Sequence, residues 1–149
     1  MIEIRKANID NAEDLKELYL NHLTSTPPQE PQDIDVWKKM IASFEQDPYY
    51  HLLVGIEDQH VVSSVTLIII RNLTHNHRPY ALIENVVTHN DYRGQHYASM
   101  LIDQAITIAR EADCYKVMLM TGSKEESTLN FYKNCGFDPN AKKAFLKRL

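Results

Sequence analysis

From Met1 to Lys6 apolar and polar positions alternate, the two-residue period of a strand. Asp10 and Glu13 then stand at capping-box spacing, and Ala12, Leu15, Leu18, Tyr19 and His22 recur at helical intervals. That predicts a first helix running to about Leu23. Thr24 to Gln32 (TSTPPQEPQ) holds three prolines, which fix φ and remove backbone donors, so no regular element is expected there. A second helix is predicted over Asp33 to Phe44, with Val36, Trp37, Met40, Ile41 and Phe44 along one side.

Strand patterns dominate the middle of the chain. Tyr50 to Ile56 and Val61 to Arg71 flank the turn Glu57 to His60, as in an antiparallel hairpin. The polar stretch Asn72 to Arg78 reads as a second turn, and Tyr80 to Thr88 as another strand. From Ala98 onward, Leu101, Ile102, Ala105, Ile106 and Ala109 mark the clearest helix of the sequence. Tyr115 to Met120 is nearly continuous in apolar character, the pattern of a strand covered on both faces. Ser123 and Glu126 form another capping-box pair ahead of a helix through Asn130, Phe131 and Tyr132, which Gly136 ends. Ala144 to Leu149 can supply a last strand. The predicted order is β-α-α-β-β-β-α-β-α-β. It implies an α/β (strictly α+β) fold: a mixed, mostly antiparallel central sheet with helices on both faces.

Composition narrows the setting. The 149 residues, 44% of them hydrophobic, suit a single domain over 1–149. A formal net charge of −4 argues against nucleic-acid binding, which needs a concentrated cationic surface. Lys142, Lys143, Lys147 and Arg148 form the one basic cluster, read as a solvated last strand. No window is long and apolar enough to span a membrane, and Met1 to Arg5 reads as a strand rather than a leader, so a cytoplasmic protein is expected. Cys114 and Cys135 sit in no CxxC motif and read as small buried hydrophobes in a reducing compartment. His75 and His77 lie in a polar turn without further ligands in view, so no metal site is expected.

The chemistry concentrates between Tyr80 and Phe137. Asp91-Tyr92-Arg93-Gly94-Gln95-His96-Tyr97-Ala98 lies between a strand and the strongest helix. A loop so placed aims free N–H groups and the positive helix end at whatever sits above it, which suits a phosphate or pyrophosphate. Neither a Walker A loop nor a dinucleotide fingerprint occurs. Glu84 lies mid-strand among apolar neighbours.

Arg93-Gly94-Gln95-His96-Tyr97-Ala98 resembles the R/Q-x-x-G-x-G/A loop of the Gcn5-related N-acetyltransferases, with His96 in the central glycine slot. Ile83-Glu84-Asn85-Val86-Val87 before it, and Asn130-Phe131-Tyr132 with Cys135-Gly136-Phe137 after it, are similar to that family's flanking motifs. The resemblance implies acetyl-CoA as cosubstrate, no metal, and transfer of the acetyl group to a small-molecule or peptide amine. It implies that Val86 and Val87 pair with the pantetheine arm, with a free N–H near Val86 as oxyanion donor. The loop of Arg93, Gly94, Gln95, His96, Tyr97 and Ala98 would cradle the pyrophosphate, and Asn130 would bond the pantetheine arm. Tyr132 would protonate the departing thiolate. Glu84 would act either as the base that deprotonates the amine or as a group that positions it.

Cys114-Tyr115-Lys116 followed by Leu119 resembles the glucosamine-6-phosphate acetyltransferase branch, while Met120-Thr121-Gly122 departs from it. Tyr49, Tyr50 and Trp37 are read as core packing in preference to acceptor-pocket walls. A homodimer is expected through Ala144 to Leu149 as an exposed edge strand. The rival readings are a non-catalytic acetyl-CoA-binding regulatory module of the same fold and a nucleotide-binding interaction domain.

Overall fold

The sheet follows the chain. In a computed structural model describing residues 1–149, β1 (Glu3–Lys6), β2 (Tyr50–Glu57), β3 (His60–Ile70), β4 (Tyr80–Thr88) and β5 (Val117–Leu119) lie side by side in sequence order. The first three pairings are antiparallel, and β4 with β5 is parallel. Parallel neighbours need a crossover, which α3 (Tyr97–Glu111) supplies. The mixed, mostly antiparallel sheet expected from the sequence is the one found.

Helices cover both faces. Leu53, Val65, Leu67 and Ile83 pack with Leu101, Ile102 and Ala105 of α3 on one side. On the other, Leu52, Val54 and Val87 pack with α1 (Ala12–Leu18) and with Ile41 of α2 (Ile34–Gln46). Phe131 and Tyr132 of α4 (Glu126–Asn134) pack against the α3-side core. Gly55 is where α3 and the chain start come nearest the sheet: a Cβ there would stand 2.6 Å from Ile2 Cδ1 and 3.0 Å from Leu101 Cδ1.

Several local expectations are corrected. The cap before α1 belongs to Asn8, not Asp10: Asn8 Oδ1 accepts from Asp10 N–H and Asn8 N–H donates to Asn11 Oδ1, each at 3.0 Å. Ser123 and Glu126 form no capping box. Ser123 Oγ instead accepts from Glu125 N–H at 3.2 Å, ahead of an N-cap residue with no side-chain bond. The second turn is left-handed through His75, Asn76 and His77 (φ 53, 57 and 62°), and His75 stacks on Tyr115 at 3.8 Å.

The last strand does not form. Residues 142–149 hold no regular structure, and Phe145 and Leu146 are 91% and 79% exposed. Four cations in those eight residues repel one another, and β5 offers an edge of only three residues to pair with. The expected dimer through an edge strand at Ala144 to Leu149 therefore loses its strand.

Candidate active site

Strand β4 changes face midway. Thr66 opposes Glu84 and Ser64 opposes Val87, so the single residue Val65 faces both Asn85 and Val86. This is a β-bulge, and Asn85 takes the left-handed conformation (φ 53°) that it needs. Without it, Ile83 and Val87 would share a face. With it, Ile83 lies in the α3-side core and Val87 in the α1-side core. The parallel pairing with β5 ends at Ile83. Beyond it β4 has a neighbour on one side only, and the sheet opens towards α4.

A groove of about 820 Å³ fills that opening. Its walls include Val86, Val87 and Thr88 of β4, the loop from Tyr92 to Ser99, and Ser127, Thr128, Phe131 and Tyr132 of α4. Arg93, Gly94, His96, Tyr97, Ala98 and Tyr132 are thus brought together with Val86 and Val87, while Gln95 and Asn130 are not among the lining residues. Val87 has its carbonyl taken by Ser63 Oγ at 3.0 Å, whereas Val86 has no residue paired with it in either neighbouring strand.

The loop at the groove's head is rich in free donors. None of the backbone N–H groups from Gly94 to Ser99 is bonded within the protein, and the first intrahelical bond there runs from Met100 N–H to His96 O at 3.0 Å. Gly94 (φ 79°) and His96 (φ 64°) both adopt left-handed backbone, so His96 reproduces the conformation that a glycine in its slot would take. Arg93 Nε donates to Thr88 O at 3.4 Å, which leaves its other nitrogens for an anion. Tyr97 anchors the loop. Its hydroxyl donates to Glu57 Oε2 at 2.5 Å and lies 3.0 Å from Gln95 Oε1. Gln95 therefore braces the loop from behind. The bond to Glu57 pushes the Tyr97 pKa up to about 12.

Tyr132 is a half-buried wall residue of the groove. Its phenol is raised above the usual range by burial first, then by Cys135 and Glu84. It therefore stays protonated in the neutral range, as a proton donor must. Glu84 is half-buried on β4 and exerts its field on Tyr132 in the groove and also on Tyr50.

Tyr50 belongs to a second cavity, of about 270 Å³, on the opposite face of the sheet. Tyr19, Trp37, Phe44, Tyr50, Thr66 and Asn85 are among its walls. Trp37 thus borders open space rather than filling core, Tyr50 packs against the α1-side core as expected while also lining the cavity, and Tyr49 lies outside, its hydroxyl accepting from Arg71 Nη2 at 2.7 Å. Adjacent residues of the bulge serve different cavities: Asn85 lines this one and Val86 the groove.

Beside the groove, Glu17, His22 and His89 hold ligand-type atoms within 4.8 Å of one another, and the two rings lie 4.0 Å apart. Each imidazole already has Nδ1 occupied, accepting from Asn90 N–H (3.3 Å) and Asp91 N–H (3.2 Å) respectively. That puts the proton on Nε2 of each neutral ring, turning a donor rather than a lone pair towards the cluster.

Sequence reasoning missed Asn85, Ser127 and Thr128. Ser127, Thr128, Phe131 and Tyr132 stand at i, i+1, i+4 and i+5, one helical face, which was available as a signal. For Asn85 the one available signal was its type, an αL-tolerant polar residue inside a strand pattern.

This splayed sheet, with a donor-lined loop above the split, has counterparts among known proteins. The family model described as "Acetyltransferase (GNAT) family" matches residues 12–137. The chain belongs to the GNAT acetyltransferase family. A glucosamine 6-phosphate N-acetyltransferase of Trypanosoma brucei brucei is 31% identical over 122 residues, covering 79% of this chain and 77% of that protein. Glucosamine 6-phosphate N-acetyltransferase 1 of Dictyostelium discoideum is 27% identical over 96 residues, and the match spans 59% of its length. Among solved structures, a candidate acetyltransferase of Agrobacterium tumefaciens superimposes with a TM-score of 0.85 at 38% identity, over 99% of both chains. No helix is long and apolar enough to cross a membrane.

Proposed function

We propose that the protein is an N-acetyltransferase that moves the acetyl group of acetyl-CoA to a primary amine of a small molecule. The observation that carries this is the run of unbonded N–H groups from Gly94 to Ser99 at the head of a groove that ends at Tyr132. Family membership and the named relatives support it.

In this reading the loop N–H groups and the start of α3 hold the diphosphate, with Arg93 adding a cation. Val86 N–H, released from cross-strand pairing by the bulge, donates to the thioester oxygen as charge develops there. Glu84 receives the proton that the amine loses as nitrogen bonds to the carbonyl carbon. Tyr132 gives its proton to sulfur as the C–S bond breaks. A lysine-like ammonium has a pKa of about 10.4, so a base beside it raises the small neutral fraction at pH 7. Two unpaired cysteines agree with a reducing compartment, and the cytoplasm is the location we propose.

Calorimetry with acetyl-CoA tests the donor site. Saturable binding is expected, weakened by about tenfold or more in Gly94→Glu, which sets a carboxylate against the diphosphate at a left-handed position. Binding that is absent in the wild-type protein defeats the reading. In Tyr132→Phe, turnover should fall while acetyl-CoA affinity holds, the pattern of an interaction made in the transition state.

A further inference from the structure

The cavity on the α1–α2 face is where the acceptor's character is written. We infer that this cavity takes the acceptor, and that the acceptor is a primary amine on an apolar, aromatic-sized body rather than a sugar phosphate. The inference rests on the acetyl-transfer reading above and adds the substrate class to it.

Position comes first. The cavity and the groove meet at one peptide link of β4, with Asn85 in the first and Val86 in the second. An amine at the cavity's inner end therefore lies across the bulge from the place where the thioester would lie. Glu84 precedes that link and stands directly opposite Thr66 in the β3–β4 register, on the cavity's face of the sheet but outside its lining. It supplies the negative charge that an ammonium seeks.

The lining sets the rest. Nine of the eleven wall residues are hydrophobic and none carries a charge. A phosphate placed here would be stripped of water without a cation to replace it. At the inner end Thr66, 1% exposed, leaves Oγ1 without a hydrogen-bond partner. Burial raises the Tyr19 phenol, with Thr66, Ser64 and Asn85 facing its hydroxyl and opposing the rise. Thr66 Oγ1 can accept from an ammonium N–H, with the Tyr19 and Tyr50 hydroxyls as its neighbours but neither bonded to it. The polar groups thus sit at one end and the apolar walls at the other, the arrangement of a molecule with one amine and one oily end.

The mouth carries the same preference outward. Val36 and Met40, on one side of α2, are 56% and 51% exposed yet line the cavity. Large apolar groups left in water at a cavity rim gain when a ligand covers them. At about 270 Å³ the space lies near the lower limit of small-molecule pockets, so one ring and a short chain fill it.

Trp37 is the chain's only tryptophan and a wall residue, so its fluorescence reports occupancy without any need for catalysis. Titration with 2-phenylethylamine should give a saturable change that glucosamine 6-phosphate does not reproduce. Met40→Lys should weaken that binding about tenfold or more by setting a charge at the apolar mouth, while acetyl-CoA affinity by calorimetry stays unchanged. In thiol-release assays 2-phenylethylamine should exceed glucosamine 6-phosphate in kcat/KM by on the order of a hundredfold. Fluorescence indifferent to the amine, or a sugar phosphate preferred in binding or turnover, overturns the inference. Amine binding that persists in a protein unable to bind acetyl-CoA supports this pocket and defeats the donor reading instead.

Discussion

Asn85 shows how much one residue's backbone can decide. Its left-handed φ of 53° makes the bulge that separates the facings of Ile83 and Val87 and frees Val86 from pairing. Asn85→Val should destabilise the fold by about 1–2 kcal/mol, because a β-branched residue meets the full left-handed penalty, and should depress turnover further by closing the bulge. Asn85→Gly keeps the conformation and should hold activity far better. Denaturant unfolding and steady-state rates on both variants check the pair. Tyr97 yields a pH prediction. With its pKa raised to about 12 by the bond to Glu57, it stays neutral in the folded protein while the unfolded chain ionises from about 10 upward. The unfolded state then binds fewer protons, so stability is intact below about pH 10 and falls as pH rises towards 12. Thermal melts across that window should show the decline, and Tyr97→Phe should flatten it.

At the level of elements, the site comes from two of them ending where they do. Strand β5 stops pairing at Ile83, so β4 runs on into the groove with β3 as its one neighbour, and α3 starts with its first N–H groups unbonded at that opening. The Gly94 and His96 loop is the hinge of this arrangement. His96→Gly exchanges the left-handed cost of a side-chain-bearing residue for the greater unfolded-state freedom of glycine, terms of about 1 kcal/mol each and of opposite sign. Unfolding free energy should therefore change by less than about 1 kcal/mol and acetyl-CoA affinity should hold, as denaturation and calorimetry would show. Helix α4 then brings Tyr132 to the groove on the face shared with Ser127, Thr128 and Phe131, while Asn130 on another face stays exposed.

In the proposed reading the whole molecule is a partition of donor and acceptor between two spaces, a groove and a cavity, that meet at the β4 bulge. Glu84→Gln tests that partition: lost basicity should lower the rate at neutral pH and cost less at high pH, when more amine is already neutral. A charge that serves only to attract the amine predicts a higher KM with unchanged kcat instead. Association belongs to this scale too. Phe145 and Leu146 lie uncovered beyond α4, and we propose a homodimer that buries them by apolar contact, without the edge strand first expected. Light scattering should give twice the chain mass, reverting to the single mass when residues 144–149 are removed.

By itself the sequence determined the element order as far as the last helix, the mixed sheet with its crossover helix, and the loop from Arg93 to Ala98, because periodicity and turn chemistry are local properties. It also carried the motifs that place the chain in its family. Only the tertiary structure decided that Asn85 bulges, that Ala144 to Leu149 stays out of the sheet, and that Trp37 borders a cavity rather than filling core. Each of these depends on what lies across a strand or beneath a helix: the register opposite Val65, the short edge of β5, the distance kept between α2 and β3. Spacing along one chain carries no record of such distances, since they are set by how the two faces of the sheet pack.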